Sequence, residues 1–126
     1  MSDVFLSAGA QQVIAYAREK YQDELQFLWQ RFPKNAILRR KDNAKWYAAL
    51  LVLDKRKLGL DEDGVVDIID LRGDPGAIRA LVDGERYFPG FHMNKKHWYT
   101  MCLDGSVPVK DVLARIDESY SLAGGS

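Results

Sequence analysis

The stretch AILRRKDNAKWYAALLVLD, residues 36–54, decides the fold class of this chain. It contains two apolar runs, 36–40 and 46–54, on either side of the polar residues KDNAK. Apolar runs of strand length around an Asp-Asn turn are typical of a β-hairpin. The stretch therefore predicts two antiparallel strands whose connecting turn is crowded with basic side chains.

Three more runs of strand length follow this hairpin, at residues 65–73, 87–93 and 97–103. The first of them is rich in β-branched residues, which favour strands. Pro89 and Gly90 indicate an edge position or a bulge for the second. Asn94-Lys95-Lys96 is predicted to be a tight link into the third, so that these two strands form a second hairpin.

Helices are predicted before, between and after these strands. Apolar residues recur at three- and four-residue steps over 8–32, which indicates a long amphipathic helix ended by Pro33, with a possible break at 22–24. Its aromatic residues are expected in the core. Asp74 and Pro75 are a typical N-cap and first residue of a short helix, with Gly84 as its stop.

The last helix is predicted from about Pro108 to Leu122. The resulting order is helix, three strands, short helix, two strands, helix. That order predicts one domain of the α+β class, a two-layer sandwich. Its antiparallel sheet of about five strands should be covered on one face by the N- and C-terminal helices.

The composition narrows the class of protein. The 126 residues include one cysteine, so the chain can form neither an internal disulfide nor a site with several thiolates. No run resembles a signal peptide or a membrane span. We therefore expect a soluble cytoplasmic protein that is monomeric and has no membrane partner.

Charge is balanced over the whole chain but is segregated along it. Residues 34–57 hold eight basic residues against two acids, whereas residues 58–85 hold eight acids against two arginines. Solvated loops and strand edges explain such runs equally well. The alternative is a basic face that meets phosphate and an acidic face turned away from it.

The residues that most often carry catalysis are poorly placed for it. Cys102 lies in mid-strand, where a cysteine is usually a small buried hydrophobe. His97 is five positions away, so the alternation of a strand directs the two side chains to opposite faces. His92 and His97 flank the predicted link but have no further ligand beside them. No catalytic, metal or cofactor site is predicted here.

Carboxylates and phosphate loops give no stronger indication of an enzyme. Residues 61–63 read as an acidic turn without the alternating oxygen ligands of a calcium loop. Asp67 and Asp70 are three apart on one strand and should face opposite sides. The sequence GDPG at 73–76 lacks the spacing and the trailing Lys-Ser/Thr of a P-loop.

Two basic turns remain as the candidate site. Each carries lysines and an asparagine and leads into Trp-Tyr at the start of the returning strand. Lysines near a turn can contact phosphates, and asparagine can read a base edge or simply form the turn. Trp46 and Trp98 either stack on a base or pin the sheet to its helices. The candidate nucleic-acid-binding residues are Arg39, Arg40, Lys41, Asn43, Lys45, Asn94, Lys95, Lys96 and His97.

These motifs resemble those of the MmcQ/YjbR family of small bacterial proteins. The resemblance rests on LRRKDNAKWYA, on VVDI, on DP before the short helix, on HMNKKHW, and on T-x-x-LDGSVP with a closing SY-x-L. It spans roughly residues 10–122, and HMNKKHW is fairly specific. Arg72-Gly73 departs from the family pattern, in which a lysine and often a cysteine are expected.

The resemblance implies a frataxin-like (CyaY-like) α-β sandwich and DNA binding through a "double wing" of paired hairpins. Carried over to this chain, the wings are Arg40–Lys45 and Asn94–His97. Our leading hypothesis is therefore weak DNA binding by the two basic hairpins. A protein or small-ligand adaptor without a nucleic-acid role is the alternative, together with frataxin-like metal binding, for which the first helix offers only Glu19, Asp23 and Glu24 as acids.

Overall fold

An antiparallel sheet of five strands forms the centre of the computed structural model, which describes residues 4–125. Along the sheet the strand order is β1-β2-β3-β5-β4, so β1 and the short β4 are its edges. The strands are β1 (Asn35–Arg39), β2 (Trp46–Asp54), β3 (Val65–Arg72), β4 (Tyr87–Pro89) and β5 (Trp98–Cys102). The predicted pair of hairpins, with the second at an edge, is confirmed.

Two of the helices cover one face of this sheet. The helices are α1 (Ala8–Tyr16), α2 (Pro75–Leu81) and α3 (Val109–Ala123). Val13 of α1 and Ile116 of α3 are fully buried in one apolar cluster with Leu50 and Ile69 of the sheet. The α+β sandwich, with the N- and C-terminal helices on one face, is therefore confirmed.

The other face of the sheet carries no α-helix in the described part of the chain. A second apolar cluster lies there, formed by side chains that alternate with those of the first. Its buried members are Ile37, Ala49, Leu51, Leu53, Val66, Ile68, Phe88 and Cys102. A short 3₁₀ helix, Lys55–Leu58, and irregular chain cover it instead, through Leu58, Leu60, Phe91 and Met93. Because no α-helix lies there, we call this the helix-free face.

The first helix is shorter than the predicted 8–32. After α1 the chain makes a π-helical turn, Ala17–Tyr21, and Gln22 then adopts a left-handed conformation with φ of 58°. Tertiary contacts fix this ending, because the buried Asp23 accepts a 2.7 Å hydrogen bond from the Tyr47 hydroxyl. Residues 22–34 then run without a helix and pair with β1 only through Gln26 and Ile37.

Two other boundaries also differ from prediction. Helix α2 begins at Asp74 and Pro75 as expected but ends at Leu81, three residues before Gly84. The following turn is built by Asp83, whose Oδ1 accepts hydrogen bonds from three successive amides of residues 85–87. The link into β5 is also longer than Asn94-Lys95-Lys96, because pairing stops at Pro89 and resumes at Trp98.

The directions of the strands bring the two basic turns together. Strands β2 and β5 both pair antiparallel with β3, so they run parallel to each other and begin at the same end of the sheet. Residues 40–45 precede β2 and residues 90–97 precede β5. We call this the basic end of the sheet, and the C-terminus of α3 lies there too, since Asn43 contacts Ala123.

Candidate functional site

Arg40 is held inside the protein rather than presented to solvent. Its Nε and Nη2 donate to the two carboxylate oxygens of Asp42 at 2.8 and 2.7 Å, and its Nη1 donates to the Tyr120 carbonyl at 2.8 Å. The guanidinium also lies 4.2 Å from the centre of the Tyr120 ring. Arg40 therefore satisfies a carbonyl in the last turn of α3, where a positive charge is favourable.

Lys41 and Asn43 of the same turn also bind backbone carbonyls. The Asn43 side chain donates to the Ala123 carbonyl at 2.8 Å and accepts from the Lys45 amide at 2.9 Å. The Lys41 ammonium donates to the Gln22 carbonyl and lies 3.3 Å from a carboxylate oxygen of Asp23. These two side chains join the turn to the ends of two helices.

Arg39 and Lys45 are the remaining residues of the first candidate group. Arg39 is half-buried at the end of β1 and lines a shallow cleft with Glu24. Lys45 is exposed just before Trp46. The first turn thus offers fewer cations to a partner than its sequence suggests.

The second basic turn combines one structural lysine with exposed charge. Asn94 accepts a 2.8 Å hydrogen bond from the Lys96 amide, which is the geometry of an Asx turn. The Lys95 ammonium donates to the Gly90 carbonyl at 3.1 Å. Lys96 and His97 are exposed.

The two tryptophans lie on the helix-free face and not against the helices. Trp98 is buried beneath the Arg72 guanidinium, which lies 4.8 Å from the ring centre and also donates to the Trp46 carbonyl. Burial lowers the pKa of Arg72. Trp46 makes an edge contact with Trp29 at 5.6 Å between ring centres. The expectation that each tryptophan pins the sheet to its helices is therefore wrong.

A cavity of about 420 Å³ opens on the helix-free face beside Trp46. Its walls come from residues 29–35 on one side and from residues 91–93 on the other. Trp29 is 37% exposed and Phe32 is 57% exposed, so their predicted place in the core is wrong. The aromatic and apolar residues that line it are Trp29, Phe32, Ala36, Trp46, Ala49, Leu51, Phe91 and Met93.

Asp70 forms part of the floor of this cavity. Its side chain is fully buried, and its Oδ1 accepts a hydrogen bond from the Thr100 hydroxyl. Its Oδ2 has no hydrogen-bond partner within residues 4–125. Burial raises the pKa of Asp70 to about 7, and Thr100, the Phe91 amide and the Lys95 charge oppose this only in part.

The sequence predicts that Asp70 and Asp67 lie on opposite faces of the sheet, but it predicts no role for Asp70. As predicted, Asp67 and Asp70 face opposite sides, since Asp67 accepts a hydrogen bond from the Ser7 amide near the N-terminus of α1. The signal for Asp70 was that it is one of two carboxylates, with Asp67, in an otherwise apolar strand. Which of the two acids keeps an oxygen without a donor depends on residues distant in sequence.

Cys102 is a buried side chain, as its position in mid-strand predicts. Cys102 is buried on the helix-free face, and burial raises the pKa of its thiol to about 11. Over residues 4–125 no three His, Cys, Asp or Glu side chains come close enough to share a metal ion. In the same range, no helix is long and apolar enough to cross a membrane.

Comparison with known proteins identifies the family to which this α+β sandwich belongs. The YjbR family model matches residues 18–122. The chain is also 34% identical to the uncharacterized protein YyaQ of Bacillus subtilis (strain 168) over 110 residues, which are 87% of this chain and 93% of that protein. The chain therefore belongs to the YjbR family, as its motifs predict.

Solved structures share the fold closely. A Pseudomonas syringae protein, 38% identical, superposes with a TM-score of 0.86 in its crystal structure and 0.81 in its solution NMR structure. The match covers 90% of this chain and 97% and 91% of those chains. A Deinococcus radiodurans protein with a DUF419 domain, 22% identical, has the same fold with a TM-score of 0.68, over 90% of this chain and 76% of that chain.

Proposed function

We propose that this chain is a DNA-binding protein, acting as a cytoplasmic monomer, that contacts DNA with the basic end of its sheet. The observation that carries the proposal is the shared position of the two basic turns. Because β2 and β5 flank β3 and begin at the same end, the residues that enter these two strands, Lys45 and His97, lie about two strand spacings apart, on the order of 10 Å. Two basic loops at this spacing can contact one side of a duplex.

The polar and charged residues at the basic end form two groups with different roles. Arg40, Lys41 and Asn43 hold the first turn against the helix ends, so they shape the surface. Lys45, Lys96 and His97 are exposed and are the groups we assign to phosphate contacts.

The opposite end of the sheet differs in charge. There Lys55 pairs with Glu62 at 3.1 Å, and Arg56 pairs with Asp63 at 2.9 Å. The basic residues that follow β2 are thus partly neutralised by the acidic loop that comes after them. Zero net charge and a small number of exposed cations predict weak binding with a shallow dependence on salt.

The test compares two double variants with the same change of charge. Lys45→Ala with Lys96→Ala removes two cations from the basic end, and Lys57→Ala with Lys110→Ala removes two exposed cations from the other end. Fluorescence anisotropy with a labelled duplex of about 20 base pairs measures affinity over a series of salt concentrations. A single strand of DNA and a single strand of RNA serve as comparison probes.

We expect the first double variant to bind more weakly and to lower the slope of log affinity against log salt by about 2, because each lost phosphate contact contributes about 0.9. The second double variant should bind like the wild type. Equal effects of the two variants, or no binding by the wild type at low salt, would show that the proposal is wrong.

A further inference from the structure

The cavity on the helix-free face has the construction of a small-molecule site. Its volume of about 420 Å³ lies within the range of pockets that hold small ligands. Trp29, Trp46 and Phe91 supply flat aromatic walls, and Trp29 remains partly exposed at the rim. A flat ring that enters this space can bury most of its surface against these side chains.

The floor of the cavity adds a specific polar group. Asp70 is fully buried, and its Oδ2 finds no donor among the described residues, although buried carboxylate oxygens are normally hydrogen-bonded. Thr100 cannot donate to Oδ2, because its single hydroxyl proton is donated to Oδ1. The hydroxyl oxygen accepts a hydrogen bond from the Phe91 amide at 3.0 Å. An unmet acceptor beneath an aromatic cavity is best satisfied by a donor that a ligand brings.

We propose that this cavity binds a small aromatic amine, whose ring packs between the aromatic walls and whose ammonium donates to Asp70. An ammonium group forms a charge-assisted hydrogen bond with a carboxylate and is attracted by the surrounding aromatic rings. The ionised Asp70 carboxylate would repel a carboxylate or phosphate at the same place, so the probes below are compared at pH 8, where Asp70 is ionised. This site adjoins the basic end of the sheet but includes neither Lys45 nor Lys96, and it does not depend on the DNA-binding function.

The backbone at the rim supports a built site. His92 lines the cavity with a φ of 61°, a left-handed conformation that is uncommon for residues other than glycine. A Cβ at Gly90 would lie 2.9 Å from the Trp98 Cβ, so the start of this loop is packed tightly on β5. The wall formed by Phe91 and His92 is thereby fixed, and strained residues of this kind cluster at ligand sites.

Three probes with one ring system test the proposal on the intact protein. Tryptamine carries the ammonium, 3-ethylindole lacks it, and indole-3-propionate replaces it with a carboxylate. Two-dimensional ¹H–¹⁵N NMR at millimolar probe concentration follows the indole N–H signals. Those of Trp29 and Trp46, which line the cavity, should shift, and that of Trp98, which does not line it, serves as the internal reference.

Matched variants then identify the carboxylate responsible. Asp70→Asn removes the charge and keeps the shape, whereas Asp67→Asn makes the same change on the other face of β3. We expect tryptamine to bind the wild type and Asp67→Asn alike, and to bind Asp70→Asn at least about tenfold more weakly. Ala49→Leu, which places a larger side chain in the cavity lining, should also reduce binding.

Comparison of the probes on the wild type keeps the test decisive even if a variant folds poorly. Tryptamine must bind more tightly than 3-ethylindole, and indole-3-propionate most weakly. The proposal is overturned if the ammonium gives no advantage, if Asp70→Asn binds tryptamine as well as the wild type does, or if no probe shifts the Trp29 and Trp46 signals.

Discussion

Asp70 shows how much a single side chain can depend on residues far from it in sequence. Strand β3 places it opposite Ala49 and Thr100 on the two neighbouring strands. Burial without a full set of hydrogen bonds disfavours the ionised carboxylate, and this raises the pKa of Asp70 to about 7. The unfolded chain ionises at the ordinary value near 3.9, so folding is linked to a proton at this residue.

The raised pKa of Asp70 predicts how the stability of the Asp70→Asn variant depends on pH. Between about pH 4 and pH 7 the folded wild type keeps the proton that the unfolded chain has lost, so the wild type loses stability as the pH rises. The asparagine variant has no such proton. We expect it to match the wild type near pH 4 and to be more stable near pH 8 by roughly 2–4 kcal/mol, since each unit of pKa is worth about 1.4 kcal/mol.

Urea denaturation of the two proteins across this pH range measures the difference. His92 in the cavity lining and Lys95 beside Asp70 are present in both proteins, so the difference between the two proteins isolates Asp70. A difference in stability that does not change with pH would contradict the assignment of the raised pKa to Asp70.

At the scale of the element, the turn between β1 and β2 carries strain that its sequence does not require. Ala44 adopts a φ of 62°, in the left-handed region that disfavours any side chain with a Cβ. The turn nevertheless closes, because the Ala44 amide donates to the Arg40 carbonyl at 2.9 Å and Arg40 is itself anchored on α3. Contacts with the helix thus impose the backbone conformation of the turn.

Replacing Ala44 by glycine should therefore stabilise the protein. Relief of the left-handed strain, about 1–2 kcal/mol, exceeds the added entropy of glycine in the unfolded chain, about 0.5–1 kcal/mol. We expect the midpoint of thermal unfolding to rise by a few degrees, as measured by circular dichroism.

The control for this prediction is Ala77→Gly in the exposed part of α2, where the backbone is helical. That change should lower stability by about 1 kcal/mol. If both substitutions destabilise the protein, the left-handed conformation of Ala44 does not strain the turn, and the prediction is wrong.

At the scale of the whole molecule, the two faces of the sheet are covered in different ways. Helices seal one face, whereas the irregular segment 22–34 and the loop 90–97 leave a cavity on the other. On the helix-free face itself, two phenylalanines distinguish the packed part from the open part. Phe88 is 1% exposed in the second apolar cluster, and Phe32 is 57% exposed at the cavity rim.

Alanine at these two positions should have very different effects on stability. Phe88→Ala removes a buried ring and should cost about 3–5 kcal/mol, the usual range for buried phenylalanine. Phe32→Ala should cost less than about 1 kcal/mol, because most of its ring surface stays in water. Chemical denaturation of both variants measures the contrast, and a large loss with Phe32→Ala would instead support the predicted core helix through residue 32.

The candidate site was predictable only in part, and Arg40 shows why. Charge and turn residues in the sequence identify the two basic hairpins, and strand alternation separates Cys102 from a partner. They do not reveal that Arg40 and Asn43 are occupied by α3, some 80 positions away in sequence. These side chains can bind the carbonyls at the end of α3 only after that helix has packed on the sheet.

By itself, the sequence determined the class of fold, the order of strands and helices along the chain, and the family. Apolar periodicity, turn residues and caps are local signals, and they act over a few residues. The tertiary structure alone decided where the first helix ends, which basic residues remain exposed, and that one carboxylate oxygen of Asp70, Oδ2, lies beneath an aromatic cavity without a donor among the described residues. Those features arise from burial and from contacts between distant segments, which no local pattern encodes.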